Sequence, residues 1–312
     1  MTARGVISCH KNAHFSTAQR IKGEMEYTRN NWWRYERRLK NVFKAIIFLL
    51  ILGVVSACGF RFWYDNLDLF FLKGLDRYFD LNQEQESFFK DRLEYHHLWH
   101  RKHGIPEHIA FIKGTRGRVQ KGINEEDVKW FFEAATRQFE LIINRLSNDF
   151  VDFLMTLQPG QIDHYERKLA DQNEEYKKRL EISSDKQGQN RYKTTIKSFE
   201  VWLGRLNDTQ KKAIVQLLQQ IPDDSEQYYS GRLERQRRFI KALRREPKNR
   251  EELEQALSEM ISTLGVSSDD DSSALMTDII IKIDRLITPK QRNHLIKKLD
   301  GWIEKLELID AQ

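Results

Sequence analysis

The stretch VKWFFEAATRQFELIINRLSNDF, residues 128–150, decides the fold. Its apolar positions Val128, Phe131, Phe132, Ala135, Phe139, Ile142, Ile143, Leu146 and Phe150 recur at steps of three and four. That is the period of one face of an α-helix, whereas a half-buried strand would alternate strictly. Outward from this stretch the same spacing continues, and no alternating run is closed by an Asn-Gly or Asp-Gly turn. The five prolines, Pro106, Pro159, Pro222, Pro247 and Pro289, each fall where a helix would begin or end. With 31% charged and 40% hydrophobic residues, the chain suits long helices with much solvent-facing surface. The expected class is all-α: an elongated bundle of antiparallel helices and helical hairpins.

Helix starts follow a recurring five-residue pattern. Its copies are Leu81-Asn82-Gln83-Glu84-Gln85, Ile123-Asn124-Glu125-Glu126-Asp127, Leu157-Gln158-Pro159-Gly160-Gln161, Leu206-Asn207-Asp208-Thr209-Gln210 and Ile287-Thr288-Pro289-Lys290-Gln291. Asn or Thr at the second position accepts a free N–H of the first turn, and Gln three residues later reaches back to the cap amide. Proline at the first helical position loses no hydrogen bond. Gln158 is the poorest of these caps. The spacing between copies is irregular, which excludes a solenoid of fixed period. The polar run 266–273 reads as a loop before a helix from about Ala274. Its acidic triplet lacks the spaced ligands of a calcium loop.

Upstream lies a segment of different character. Arg34, Arg37, Arg38, Lys40 and Lys44 precede an uncharged run of 16 residues, Ala45 to Phe60, that Arg61 closes. A basic stretch, a short apolar stretch and small residues before a cleavage point compose a secretory signal. The sequence Val55-Ser56-Ala57-Cys58 resembles a bacterial lipobox, in which the cysteine is lipidated and becomes the new N-terminus. A membrane span needs about 20 apolar residues, so an uncleaved anchor is the alternative. Either way the C-terminal body lies outside the cytoplasm. The expected division is a signal segment at 1–57, its true start near Met25, and one helical periplasmic domain at 58–312.

Charge agrees with that division. The chain carries +6, yet ten of its 52 Lys and Arg and only three of its 46 acids lie within residues 1–57. The remainder has 42 bases against 43 acids, close to neutral, so a nucleic-acid partner loses its support. Of the two cysteines, Cys9 would be removed and Cys58 acylated, leaving no disulfide in the body.

Several segments together resemble a family of Gram-negative lipoproteins of unknown function. They are the lipobox, Arg61-Phe62-Trp63-Tyr64-Asp65-Asn66, Asp76 to Gln85, Trp99-His100-Arg101, Asn173-Glu174-Glu175-Tyr176 and Trp202-Leu203-Gly204-Arg205-Leu206. The likeness covers most of residues 55–250 and implies an all-helical envelope protein with no catalytic residues to carry over. The helix starts also resemble the Leu-Thr-x-x-Gln motif of Spy/CpxP-like periplasmic proteins, which are small helical chaperones and stress regulators. In lipoprotein sorting, aspartate after the lipidated cysteine implies inner-membrane retention. Gly59 stands there, which favours the outer membrane over the inner one.

Three groups invite chemistry. His96, His100 and His103 would share one face of a regular helix and offer three imidazoles to zinc, copper or nickel. The alternative is a solvated or interfacial face. The aromatic run Phe60 to Phe71 either rests Trp63 and Tyr64 at a lipid headgroup level or packs into the first helix pair. Arg232, Arg235, Arg237, Arg238, Lys241, Arg244 and Arg245 form a basic helix, read either as a solvated face paired with acids or as a contact for anionic envelope components. Hydrolase, zinc-protease, phosphate-loop and dinucleotide signatures are absent from the sequence. The expectation is a non-enzymatic, cofactor-free lipoprotein that acts as a binding, chaperone-like or envelope-maintenance factor. Its alternative is a structural or assembly partner of a membrane complex.

Overall fold

The computed structural model describes residues 60, 62, 64–181, 184–262 and 270–311 of the chain. Among them the protein is all-α, with no strand. In order come α1 (Leu67–Phe79), α2 (Gln83–Trp99), a π-helical turn (His100–Gly104), α3 (Ile105–Lys121), α4 (Glu125–Thr156), α5 (Pro159–Leu180) and α6 (Ser184–Leu203). There follow α7 (Asp208–Leu218), α8 (Ser225–Arg244), α9 (Arg250–Ser262), α10 (Asp270–Leu286) and α11 (Pro289–Asp310). No described helix is long and apolar enough to cross a membrane. The lipobox residues Val55, Ser56, Ala57 and Cys58 lie outside the described residues, as do Trp63 and residues 266–269 of the polar run 266–273. The end of that run differs from expectation. α10 already starts at Asp270, so residues 270–273 are helical rather than loop.

Helix α4 organises the rest, as the periodicity of residues 128–150 requires. Its 32 residues span about 48 Å at the α-helical rise. Near its start, Ala134 joins a cluster with Phe60, Tyr64, Ile112 and Val119 and with Trp302 and Leu306 of α11. Near its end, Val151, Phe153 and Leu154 join Phe79, Phe89, Tyr165, Phe239, Leu243 and Leu253. A third cluster, Ile196, Leu203, Leu206, Ile214, Leu218, Ile279 and Ile283, unites α6, α7 and α10. Three local cores, rather than one, fit a chain whose helices are thin and highly charged.

The recurring starts behave as designed caps, and four of them do more. Asn82, Asn124, Asn207 and Thr288 each accept the N–H of the residue three positions on. In the Gln158 copy that bond goes to the backbone carbonyl instead, while Gln161 still reaches back to the Gln158 amide at 3.1 Å. The glutamines then pair. Gln85 and Gln161 exchange amide hydrogen bonds of 3.2 and 2.7 Å, and Gln210 and Gln291 exchange bonds of 2.8 and 3.1 Å. The spare N–H groups reach past the partner's cap. Gln161 donates to the Asp80 carbonyl, Gln291 to that of Arg205 and Gln210 to that of Leu286, while Gln85 takes the Thr156 hydroxyl. All four glutamines are buried. Each carboxamide thus satisfies two donors and two acceptors, which is what a polar group needs in order to stay out of water.

The fifth start has Asp127 in place of glutamine and is held differently. The Ile123 N–H donates to Asp284 Oδ2 at 3.1 Å, and the Arg292 guanidinium grips both Asp284 oxygens at 2.8 and 3.0 Å. Arg292 also donates to the Asp284 backbone carbonyl and to the Val119 carbonyl, at the end of α3. A part-buried ion pair, with Asp284 its buried member, therefore closes the α3–α4 turn onto α10 and α11.

Candidate functional site

The most unusual local structure is the π-helical turn at His100–Gly104. Pro106 has no N–H, and its ring would crowd the carbonyl four residues back in a regular helix. The wider turn relieves that crowding, with the Ile105 N–H bonding to the His100 carbonyl five residues back. Gly104 is required because a Cβ there would come within 2.5 Å of the His100 ring. The extra residue in the turn changes the register. His100 and His108 are eight apart, yet they return to one side as positions seven apart do in a regular helix.

Four side chains meet across this turn in an unbroken line. Tyr64 Oη lies 3.0 Å from His100 Nδ1, His100 Nε2 lies 3.0 Å from His108 Nε2, and His108 Nδ1 lies 2.7 Å from Gln138 Oε1. Assigned from this network, the protons run one way. Tyr64 donates to His100, His100 to His108, and His108 to the Gln138 carbonyl oxygen. Both imidazoles are then neutral, and the environment agrees. Burial first, then the neighbouring rings of His108 and His97, lower the His100 pKa to about 4. Burial also lowers that of His108. Burial raises the Tyr64 hydroxyl to about 12, against the opposing pull of Arg101. Such a line can hold or pass a proton between the first helical segment and α4.

The histidines expected to share one face take separate partners, and the π-helical turn shifts the register beyond His100. His96 Nε2 pairs with Asp149 at 2.5 Å, His100 faces Tyr64 and His108, and His103 is exposed with its ring 6.1 Å from Trp99. Among the described residues no group of three His, Cys, Asp or Glu is placed to hold a metal ion. Neither His108 nor Gln138 was singled out from the sequence. The signal available was Gly104 and Pro106 interrupting a helical pattern.

Of the aromatic run, Tyr64 packs into the fold: it is 3% exposed, with its ring 4.6 Å from His97. Phe60 is likewise buried, edge-on to Trp302 at 5.3 Å.

The basic helix is α8, and most of its charges are matched. Arg244 contacts Asp163 and Glu166, Arg245 contacts Glu252, Arg237 contacts Glu234, and Arg238 reaches Glu234 and Glu259. Arg232 turns inward to Asn173 Oδ1 and Gln172 Oε1, while Asn173 donates to Gln236 at 2.6 Å. Tyr176, three residues on, stacks on Tyr229 at 5.3 Å. The Asn173-to-Tyr176 segment thus joins α5 to α8.

Comparison with known proteins adds one frame. Residues 77–264 match the model of a family of unknown function, DUF6279. No curated protein and no solved structure matches the chain.

Proposed function

The chain belongs to the DUF6279 family, and from that premise we propose a membrane-anchored bacterial envelope lipoprotein that works by binding, as a chaperone-like or envelope-maintenance factor rather than an enzyme. One observation carries the reading: Val55-Ser56-Ala57-Cys58 ends a short apolar run behind a basic stretch. Cys58 lies two residues before Phe60, the first described side chain, which is buried. Gly59 favours the outer membrane as the destination. Its periplasmic body is then held near its targets, where tethering raises effective concentration without high affinity.

Two further features support the binding role. The glutamine-paired helix starts are built on the pattern that resembles the Leu-Thr-x-x-Gln motif of Spy/CpxP-like proteins. The conspicuous buried polar groups are occupied with one another, as in Gln85–Gln161 and His100–His108.

Metabolic labelling with an acyl-chain probe on the wild type and on Cys58→Ala tests the anchor. Label on the wild type alone, with Cys58→Ala left as unprocessed precursor, is the expected result. Equal labelling of the two, or none, overturns it. Suppression of client aggregation at up to equimolar protein tests the chaperone role. Crosslinking to one dominant partner would redirect the reading to an assembly factor.

A further inference from the structure

From Phe60 onward the chain is clamped to the body. Phe60 and Tyr64 are 5% and 3% exposed, and the Phe60 ring lies against Trp302 of α11. Only Gly59 separates Cys58 from Phe60, and two residues of extended chain span at most about 7 Å. If Cys58 carries the anchor, no flexible linker holds the body away from the bilayer. Whatever surface surrounds the start of α1 must meet lipid.

That surface is apolar where a soluble face would be polar. Helical bonds run through this entry, from Asn66 N to the Phe62 carbonyl and from Phe70 N to the Asn66 carbonyl. Phe62 holds the Asn66 N–H and side chain on its carbonyl just before α1, and Leu69 and Phe70 lie on the side of α1 away from Phe79 and Leu75. Phe62, Leu69 and Phe70 are 65%, 51% and 52% exposed. Further along this outer face the residues become charged, with Lys73, Asp76 and Arg77 exposed. At the same end, Leu98 on the last turn of α2 is 62% exposed beside His97, whose ring touches Tyr64, and Lys102 is exposed one turn on. Apolar groups nearest the anchor, with charged groups such as Lys73 and Arg77 behind them, are the order in which an interfacial helix meets a phospholipid surface.

We propose that the outer face of the chain entry, Phe62, Leu69 and Phe70, beds in the phospholipid surface beside the anchor, so that the body lies docked on the membrane rather than hanging free. The inference rests on the Cys58 anchor, and its test separates the two. Leu69→Cys, Phe70→Cys and a control at exposed Gln255, Gln255→Cys, are placed in a full-length Cys9→Ser background. That parent, without an added cysteine, reports any labelling of Cys58. Each protein is labelled with a membrane-impermeant maleimide in washed native membranes, in phospholipid vesicles of the purified protein alone, and after detergent.

At positions 69 and 70 labelling at least about tenfold slower than at 255 is expected in both membrane samples, with the difference abolished by detergent. Membrane-bound protein that labels at all three positions alike overturns the docking and leaves the anchor standing. Protection in native membranes but not in vesicles overturns it in favour of a protein partner on this face. Protein recovered free of membranes overturns the anchor, and the docking with it.

Discussion

Gln85 and Gln161, 76 residues apart, hold each other by two amide hydrogen bonds while each caps its own helix. Gln210 and Gln291 repeat the arrangement at the junction of α7 and α11. A capping box is normally a local device worth about 0.5–2 kcal/mol. Here its glutamine is also a tertiary contact, so helix initiation and helix pairing are the same event.

Truncating one member of such a pair takes a donor and an acceptor from its partner and a donor from a backbone carbonyl. An unsatisfied buried polar group costs about 1–3 kcal/mol. Gln161→Leu deprives Gln85, the Gln158 amide and the Asp80 carbonyl at once, so its cost should reach or exceed the top of that range. Gln291→Leu should act alike. The double variant Gln85→Leu/Gln161→Leu should cost clearly less than the sum of its singles, because the two losses overlap. Urea unfolding of the four proteins in one detergent measures the coupling, and strict additivity would remove the paired-cap account.

The Asp284–Arg292 pair makes a sharper prediction. Asp284 is nearly buried and also accepts the Ile123 N–H, so it fixes the α3–α4 turn as well as the ion pair. Removing one partner leaves an uncompensated charge, about 3–5 kcal/mol. Arg292→Ala should therefore destabilise far more than Arg237→Ala, whose pair with Glu234 is solvent-exposed and screened. Thermal unfolding of the two variants side by side checks the contrast.

How far the sequence could be read follows from what is local. The five starts were legible because a cap is decided within four residues, and the weakness of Gln158 was legible for the same reason. Which cap meets which was not, since nothing within Leu157 to Gln161 points to Gln85. The histidines show the converse failure. His96, His100 and His103 share a face only at 3.6 residues per turn, and the π-helical turn between Trp99 and Ile105 breaks that register. Gly104 and Pro106 marked the interruption without revealing that it brings His108 to His100. For the aromatic run, composition could not separate inward from outward. The fold does, with Phe60 and Tyr64 in the core and Phe62, Leu69, Phe70 and Phe71 out of it.

Gly104→Ala tests the turn. The added methyl would meet the His100 Cδ2 at 2.5 Å, and the ring cannot move without losing Tyr64 or His108. Overpacking of this kind costs about 1–3 kcal/mol. Gly117→Ala, on the same long helical segment with no atom within reach of the new methyl, should instead be neutral or slightly stabilising. A stable Gly104→Ala protein would mean that the π-helical turn is not needed to seat His100.

Acid should unfasten the same network. In the unfolded chain His100 binds its proton near the ordinary imidazole value of 6.5, whereas in the fold its pKa is about 4. Between those values the unfolded state holds more protons, so stability rises with pH across the window and is lost as pH falls from 6.5 toward 4. The two limits differ by up to about 3 kcal/mol for His100, and the lowered His108 and His97 act in the same direction. Melting temperatures at pH 7 and pH 5 should therefore differ substantially in the wild type. In His100→Gln the protein should be weaker at pH 7, because Tyr64 and His108 lose their partner, yet the drop on acidification should be smaller. Equal pH dependence in both proteins would show that the Tyr64–His100–His108 line is not where acid acts.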